Sequence, residues 1–438
     1  MVAPDLNARL EAFLHDLYHR TGRGIVPGLE ATTALLAGLG DPHRSLKAVH
    51  VAGTNGKGSV CAMVESMLRA AGFRTGLYTS PHLRRFNERI RVNGEEIPDA
   101  ALEALCRELD AHADAIRTDP KLRAPTFFEF TTALAFTYFA RESVDFCVIE
   151  TGMGGRWDST NVLTPLLSVV TPIARDHSRF LGESIPEIAA EKAGILKPGV
   201  PAVIGGLDDE AAAVLKATAR AVSCPLTDAA DLVSVQGLGA DWDGQRIRVE
   251  TASTRHRPLR LPLLGPHQIS NAAIAVAACE VLRDACGVEL PDTALRHGLE
   301  TVRWPGRMQV LRRDPVVLLD CAHNPAGARA LRKAVVPLAG AAPLGWIVGC
   351  AHDKDHAAIF REWAPAMRKC WVVPLSVERG AATSELAAAA RVAGIEAEER
   401  TLVEAWKEAL DWAQGAGGVV VMAGSIYLAG EVLERFGD

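Results

Sequence analysis

Two kinds of segment alternate along most of the chain. Residues 46–52 form an apolar run of strand length, and the glycine-rich stretch Gly53-Thr-Asn-Gly-Lys-Gly-Ser59 follows it. From 59 to 71, Val60, Met63, Val64, Met67, Leu68 and Ala71 recur at helical spacing and predict one buried face. Further strand-length apolar runs occupy 75–79, 144–149, 166–171 and 202–204, and an apolar helix is predicted over 126–139. Strands and helices in alternation predict a parallel sheet covered on both faces.

The pattern loosens between 205 and 262, where Ile247 and Val249 alternate with Arg246, Arg248 and Glu250 as on a half-exposed strand. A small antiparallel add-on is expected there, with a return to helix over 271–286. The segment Thr301-Val-Arg-Trp-Pro-Gly-Arg307 interrupts the series with a strong turn signal. Beyond it, strands are predicted at 316–319, 345–350, 370–374 and 419–422. Leu402, Ala405, Trp406, Ala409, Leu410 and Ala413 mark a helix between the last two.

The 438 residues exceed what one core normally serves, so the break is read as a domain junction. A net charge of −6 argues against a nucleic-acid binder, which would carry a basic excess. The nine cysteines are odd in number and form no Cys-x-x-Cys pair, as expected of reduced core thiols in the cytoplasm. Residues 1–20 lack a basic segment leading into an apolar one, and no apolar run approaches the ~20 residues of a membrane span.

The strongest candidate site is the glycine-rich stretch itself. Glycines let successive N–H groups converge, the following helix adds positive potential, and Lys57 adds a mobile charge, so a nucleotide phosphate fits. The general Walker A pattern would need Gly at Val51 and Ser or Thr at Gly58, and neither is present. Glu129 stands among Phe127, Phe128 and Phe130, where a carboxylate needs a partner. His177 follows the strand 166–171, beyond whose carboxyl end ligands of doubly wound sheets bind. With Ser80 these two make an oxygen-rich magnesium site, although a core ion pair for Glu129 and a surface position for His177 are the plain alternatives.

Val51-Ala-Gly-Thr-Asn-Gly-Lys-Gly-Ser59 resembles the P-loop of the Mur ligase superfamily, and within it that of the folylpolyglutamate synthase and dihydrofolate synthase family. Six further segments fit that family in order: Thr79-Ser-Pro-His-Leu83, Asn87-Glu-Arg-Ile90, Phe127-Phe-Glu-Phe130, Glu150-Thr-Gly-Met-Gly-Gly-Arg156, Glu191-Lys-Ala-Gly-Ile195 and Asp320-Cys-Ala-His-Asn-Pro325. The resemblance implies an α/β protein: a P-loop-type parallel-sheet ATPase domain over 1–298, a linker at 299–306 and a smaller Rossmann-like ligase domain over 307–438.

The same resemblance implies an ATP-dependent ligase. Glutamate would be joined to dihydropteroate or a reduced folate through an acyl-phosphate. It implies that Gly53, Thr54, Asn55, Gly56, Lys57, Gly58 and Ser59 hold the phosphates. Gln268 and Asn271 lie near the base, Arg307 reaches the phosphates, and Asp320 suits the ribose. Ser80, Glu129 and His177 are the implied Mg2+ ligands, and a second Mg2+ and a K+ ion are admitted. Lys192 matches a lysine often carried as a carbamate, and His323 and Ser425 match positions that handle the incoming glutamate. Lys57, Lys192 and His323 are the implied catalytic set. Arg84, Arg85, Arg89 and Arg91 could hold anionic substrates or form a solvated basic face, and Asp353-Lys-Asp355 reads as a solvated charged turn.

A monomer is expected. Departures from the family pattern are Trp157, Arg175 and Cys321. Three rivals are a ligase acting on a UDP-linked precursor, a P-loop switch or motor, and a non-catalytic nucleotide-binding regulator. Against the first, the 52 residues before Gly53 leave little room for a uridine-binding domain.

Overall fold

The computed structural model describes residues 6–20, 27–118, 122–252 and 257–437. Residues 253–256 of the expected add-on, and the first five residues of the N-terminal stretch, lie outside the described residues.

The first sheet has eight strands: β1 (Ala48–Ala52), β2 (Thr75–Tyr78), β3 (Ile90–Val92), β4 (Glu95–Glu96), β5 (Phe146–Glu150), β6 (Leu167–Val170), β7 (Ala202–Ile204) and β8 (Leu226–Asp228). They run in the order β4-β3-β2-β5-β1-β6-β7-β8, parallel except at the β2–β3 and β3–β4 pairings. β1 and β5 are buried along their whole length, which is why they read as apolar runs apart from His50 and the terminal Glu150. The period of two divides their side chains. Val49, Val51, Phe146 and Val148 face a core shared with helices Lys57–Ala70 and Pro266–Cys286. Ala48, Cys147 and Ile149 face the opposite core, against helices Asp99–Thr118 and Phe127–Arg141.

The irregular stretch is an antiparallel sheet of β9 (Val233–Asp241), β10 (Gly244–Thr251) and β11 (Leu259–Leu261), as expected. A third sheet of six strands follows: β12 (Gln309–Arg313), β13 (Val316–Leu319), β14 (Leu344–Val348), β15 (Met367–Val372), β16 (Ala397–Glu399) and β17 (Val419–Ala423). Its order is β12-β13-β17-β14-β15-β16, with only β12 antiparallel. This sheet also separates two cores. Val419 and Val421 face one, and Val420 and Met422 face the other. The helix Asp292–Thr301 takes up residues 299–301 of the stretch read as linker.

The two large sheets are packed together through specific contacts. Trp242 and Leu264 join one core of the six-stranded sheet, and Leu83 joins the other. The helix Ile426–Phe436 meets the Leu83 turn so closely that a Cβ on Gly430 would stand 2.0 Å from the Leu83 carbonyl oxygen. Only glycine allows that approach. Among the described residues, no helix is long and apolar enough to cross a membrane.

Candidate functional site

β1 delivers the glycine-rich turn to the carboxyl edge of the first sheet, and the helix Lys57–Ala70 leaves from it. Gly56 caps that helix at φ 86°, a left-handed conformation that favours glycine, and its missing Cβ leaves room for the Asn271 side chain. The Val60 amide makes a helical bond to Gly56, so the amides of Lys57, Gly58 and Ser59 precede the first turn's hydrogen bonds. The turn is pinned to the loop after β6: the Thr54 and Asn55 amides donate to the Pro172 carbonyl at 2.9 and 3.1 Å. Thr54 Oγ1 lies 3.1 Å from both the Ala174 amide nitrogen and its carbonyl oxygen.

Two lysines flank this turn. Lys57 Nζ lies 3.8 Å from Glu150 Oε1 and 3.4 Å from the Thr54 carbonyl oxygen. Lys192, buried near the end of the helix Ile185–Lys192, donates to the Gly53 carbonyl at 2.8 Å. Burial, and then the charge of Lys57, lower the Lys192 amine to about 7. That places a substantial neutral fraction at neutral pH, the form that adds to carbon dioxide.

Glu150 opens the Glu150–Arg156 motif, to which the sequence attaches no ligand role. It ends β5 beside Val51 of β1, and its Oε2 accepts from the Ser80 amide at 3.2 Å. Burial pushes its carboxyl up, against the opposing charges of Lys57 and Arg307. The signal was present in the sequence: a single carboxylate closes an apolar strand next to the lysine-bearing turn.

Glu129 requires a correction. Its Oε1 and Oε2 each lie 2.6 Å from Arg123, and its Oε2 also accepts from the Thr126 amide at 2.7 Å. It is the third residue of a capping box on the helix Phe127–Arg141, so the plain reading, a core ion pair, holds and its metal role does not. The carboxylate in contact with Ser80 and Lys57 is Glu150.

His177 occupies the left-handed region at φ 52° and is held, mainly by burial, at about 4. It lies within electrostatic range of Lys57 and Lys354. The adjacent Asp176 gathers contacts from the second domain: Lys354 at 2.6 Å, the Asn324 amide at 3.2 Å and His323 Nε2 at 3.4 Å. Burial alone would raise the Asp176 carboxyl, but His323, His177 and Lys354 hold it well below the usual carboxylate range. Lys354 is therefore no solvated turn residue; its side chain is 9% exposed.

The remaining expected residues divide into two groups. Arg307 is half-buried within electrostatic range of Glu150, and Asp320 lies close to it. Asp320 accepts from the Met308 and Ala322 amides at 2.9 and 2.7 Å, fixing the turn that carries Arg307. His323 Nδ1 lies 2.9 Å from the Cys321 carbonyl oxygen. Gln268 and Asn271 are buried against the turn rather than free: Asn271 donates to Gln268 at 3.0 Å, and Gln268 to Ser59 Oγ at 3.2 Å. Ser425 is buried and caps the helix Ile426–Phe436.

A cavity of about 240 Å3 opens between the domains, lined in part by His82, Arg84, Arg91, Trp304, Arg307 and Ile426. His82 is neutral there: burial, and then Arg89, lower it to about 3, and its Nδ1 accepts from Arg89 Nε at 2.9 Å. Of the four clustered arginines, Arg85 is instead paired with Asp99 at 2.6 Å.

Residues 51–279 match the Mur ligase middle domain, and residues 306–426 match the Mur ligase glutamate ligase domain. The chain is 34% identical over 430 residues to a dihydrofolate synthase/folylpolyglutamate synthase of Bacillus subtilis, covering 96% of this chain and 97% of that protein. It is 38% identical to a folylpolyglutamate synthase of Lacticaseibacillus casei, over 91% of this chain and 92% of the relative. A Mycobacterium tuberculosis folylpolyglutamate synthase complexed with ADP superposes with a TM-score of 0.93 at 33% identity, covering 99% of both chains. Two domain matches in order, and relatives aligned from end to end, leave one conclusion: the chain belongs to the folylpolyglutamate synthase/dihydrofolate synthase family of Mur ligases.

Proposed function

We propose that this protein uses ATP to join L-glutamate to a pterin acid, either dihydropteroate or the glutamate side chain of a reduced folate. The observation that carries this reading is the convergence of Lys57, Glu150 and Ser80 at one sheet edge, with Arg307 of the second domain in electrostatic range of Glu150. Relatives bearing that activity in their names align over nearly the whole chain, and a solved FPGS–AMPPCP–folate complex superposes with a TM-score of 0.86 at 34% identity, covering 98% of both chains.

A carboxylate is a poor acyl donor, because its leaving group would be oxide. The γ-phosphoryl group of ATP passes to a carboxylate oxygen of the acid and ADP leaves. The glutamate amine then attacks the acyl carbon, the C–O bond to phosphate breaks, and phosphate and a proton are released. The amides of residues 57–59 and Lys57 would cradle the phosphates and balance charge gathering on the transferring group. Arg307 would approach the same phosphates from the second domain. Holding acid and phosphate in line is the protein's main contribution, and orientation of this kind can lower a barrier by about 7–11 kcal/mol.

The donors present fit Mg2+. Among the described residues no three His, Cys, Asp or Glu side chains cluster as a ready-made cage. Glu150, the Ser80 hydroxyl and His177 would instead supply a sparse set, and magnesium usually takes few protein ligands and completes its shell with phosphate oxygens and water. The ion would neutralise phosphate charge. The same proposal admits a second Mg2+ and a K+ ion, and exchanging K+ for Na+ in the assay tests the latter.

Lys192, neutral in part and set beside the phosphate turn, is proposed to carry a carbamate. Intact mass in bicarbonate buffer should show one added carbon dioxide that Lys192→Arg removes; a bare amine under those conditions would count against it. Nine free cysteines and the lack of a described membrane-crossing helix support a cytoplasmic setting, and a monomer is proposed. The junction near 299–306 is proposed to be the hinge on which the domains close.

The deciding experiment is a substrate matrix. Dihydropteroate and tetrahydrofolate are each incubated with ATP, Mg2+ and glutamate, and products are read by mass. ADP release without any amide product would sink the reading in favour of a nucleotide hydrolase.

A further inference from the structure

One carboxylate joins the two halves of the cleft. Asp176 lies in the loop after β6, and its partners Lys354, His323 and Asn324 all come from loops at the carboxyl ends of β14 and β13. Asn324 spans further: its amide nitrogen also donates to Asn55 Oδ1, inside the glycine-rich turn, at 3.1 Å. Its own oxygen caps the helix Pro325–Ala339 by accepting from Gly327 at 2.8 Å, so the group is rigidly mounted. The side chains of Asp176 and Lys354 are 8% and 9% exposed. An ion pair that sheltered is only weakly screened by salt, and removing either partner leaves the other charge buried.

The cluster touches the phosphate turn through one side-chain bond, Asn324 to Asn55, and leaves the turn's backbone to other partners. The turn is fixed by Pro172, Ala174 and Lys192. Asp176 instead contacts the loops of the second domain that carry Lys354, His323 and Asn324. We propose that Asp176 is a positioning residue for the ligation step. It sets the register of His323 and Lys354 over the phosphate turn, so that productive approach of the amine, rather than capture of the nucleotide, depends on it. This rests on the ligase activity proposed above.

The test uses the full chain and five variants: Asp176→Asn, Asp176→Glu, Lys354→Met, Lys354→Arg and the double Asp176→Asn/Lys354→Met. Affinity for AMPPCP is measured by calorimetry, and kcat and KM for glutamate by ADP release with the pterin acid present. Asp176→Asn and Lys354→Met should each lower kcat/KM for glutamate by at least about tenfold, while AMPPCP affinity stays within about threefold of the parent. Lys354→Arg, which keeps the charge, should recover most of the loss, and Asp176→Glu part of it. The double variant should be no worse than the poorer single, because one shared interaction is lost in all three. Losses that multiply in the double, or AMPPCP affinity that falls in step with kcat/KM, would overturn the proposal.

If the parent forms no amide at all, the proposed activity has failed and the positioning role is decided separately by hydrogen exchange. Exchange at residues 172–177 and 351–356 should quicken in either single variant and equally in the double. Unchanged exchange would refute the role.

Discussion

Glu129 and Glu150 are both buried carboxylates of the first domain, yet they stand in opposite circumstances. Glu129 is satisfied: a bidentate Arg123 and a helix-capping amide take its oxygens. Glu150 receives one amide at 3.2 Å and a lysine at 3.8 Å, and burial raises its carboxyl. A carboxylate that completes its bonds within the fold stabilises the fold. One left with coordinating capacity next to a phosphate turn retains that capacity for a ligand. The surroundings of Glu150 share this character, with a lysine lowered to about 7 and a histidine in a left-handed conformation.

The sharpest way to test this division is at Lys57, whose cation serves the turn rather than the core. Lys57→Ala should reduce kcat by about 10^3-fold or more, equivalent to about 4 kcal/mol of transition-state stabilisation, with little change in melting temperature. Steady-state ADP release alongside calorimetric melting checks both halves. A large loss of stability with modest loss of rate would place Lys57 in the structural group and break the comparison.

Next in size is Glu150→Gln, which keeps the shape and removes the charge. A loss of about 10^2-fold in kcat/KM is expected, and raised Mg2+ should recover part of it, because the variant retains Ser80 and His177. The matched substitution Glu129→Gln should do the reverse. It weakens a partly exposed ion pair and the capping box, for a destabilisation of about 2 kcal/mol in urea unfolding, while kcat/KM remains within about threefold. Abolished activity at unchanged stability would instead place Glu129 at the metal and break the comparison.

This pair also shows how far the sequence could be read. The alternation of apolar runs predicted both largely parallel sheets, because strands covered on two faces leave an unmistakable apolar signature, whereas the antiparallel add-on was legible from Ile247 and Val249 alternating with charged residues. The phosphate turn was legible against the first signature: Gly53 to Ser59 interrupts an apolar run with glycines and a lysine. What misled was a rule applied to the wrong residue. An isolated carboxylate among apolar neighbours needs a partner, and that holds for Glu129 and Glu150 alike. Sequence does not show that Arg123, six positions earlier, folds back onto Glu129, nor that β5 lies between β1 and β2 and so brings Glu150 to both Lys57 and Ser80. Asp176 and Lys354 were illegible for a related reason. They are 178 positions apart, and their meeting depends on how two separate sheets dock.

The last prediction concerns acid stability, and it extends the division to histidine. His50 sits in the middle of β1, its Nε2 2.8 Å from Thr160 Oγ1, which in turn donates to Asp158 at 2.5 Å. Burial, and then the charge of Lys197, hold it at about 3. The unfolded chain binds a proton at this ring near pH 6.5, whereas the folded chain does so only near pH 3, so between these values the unfolded state carries the extra proton. Stability contributed by this group is therefore present above about pH 6.5 and falls as pH drops toward about 3, at up to about 1.4 kcal/mol per pH unit. Urea unfolding between pH 7 and 4 should show that slope, and His50→Asn should flatten it by about one proton while sparing kcat, since the ring touches no phosphate-binding group. His82, lowered to a similar value but lining the cavity between the domains, should behave differently. An anionic ligand in that cavity would favour its protonated form, so saturating folate should reduce its share of the slope, while the share from His50 stays unchanged. Equal responses of the two histidines to folate would mean that the cavity does not receive the acid.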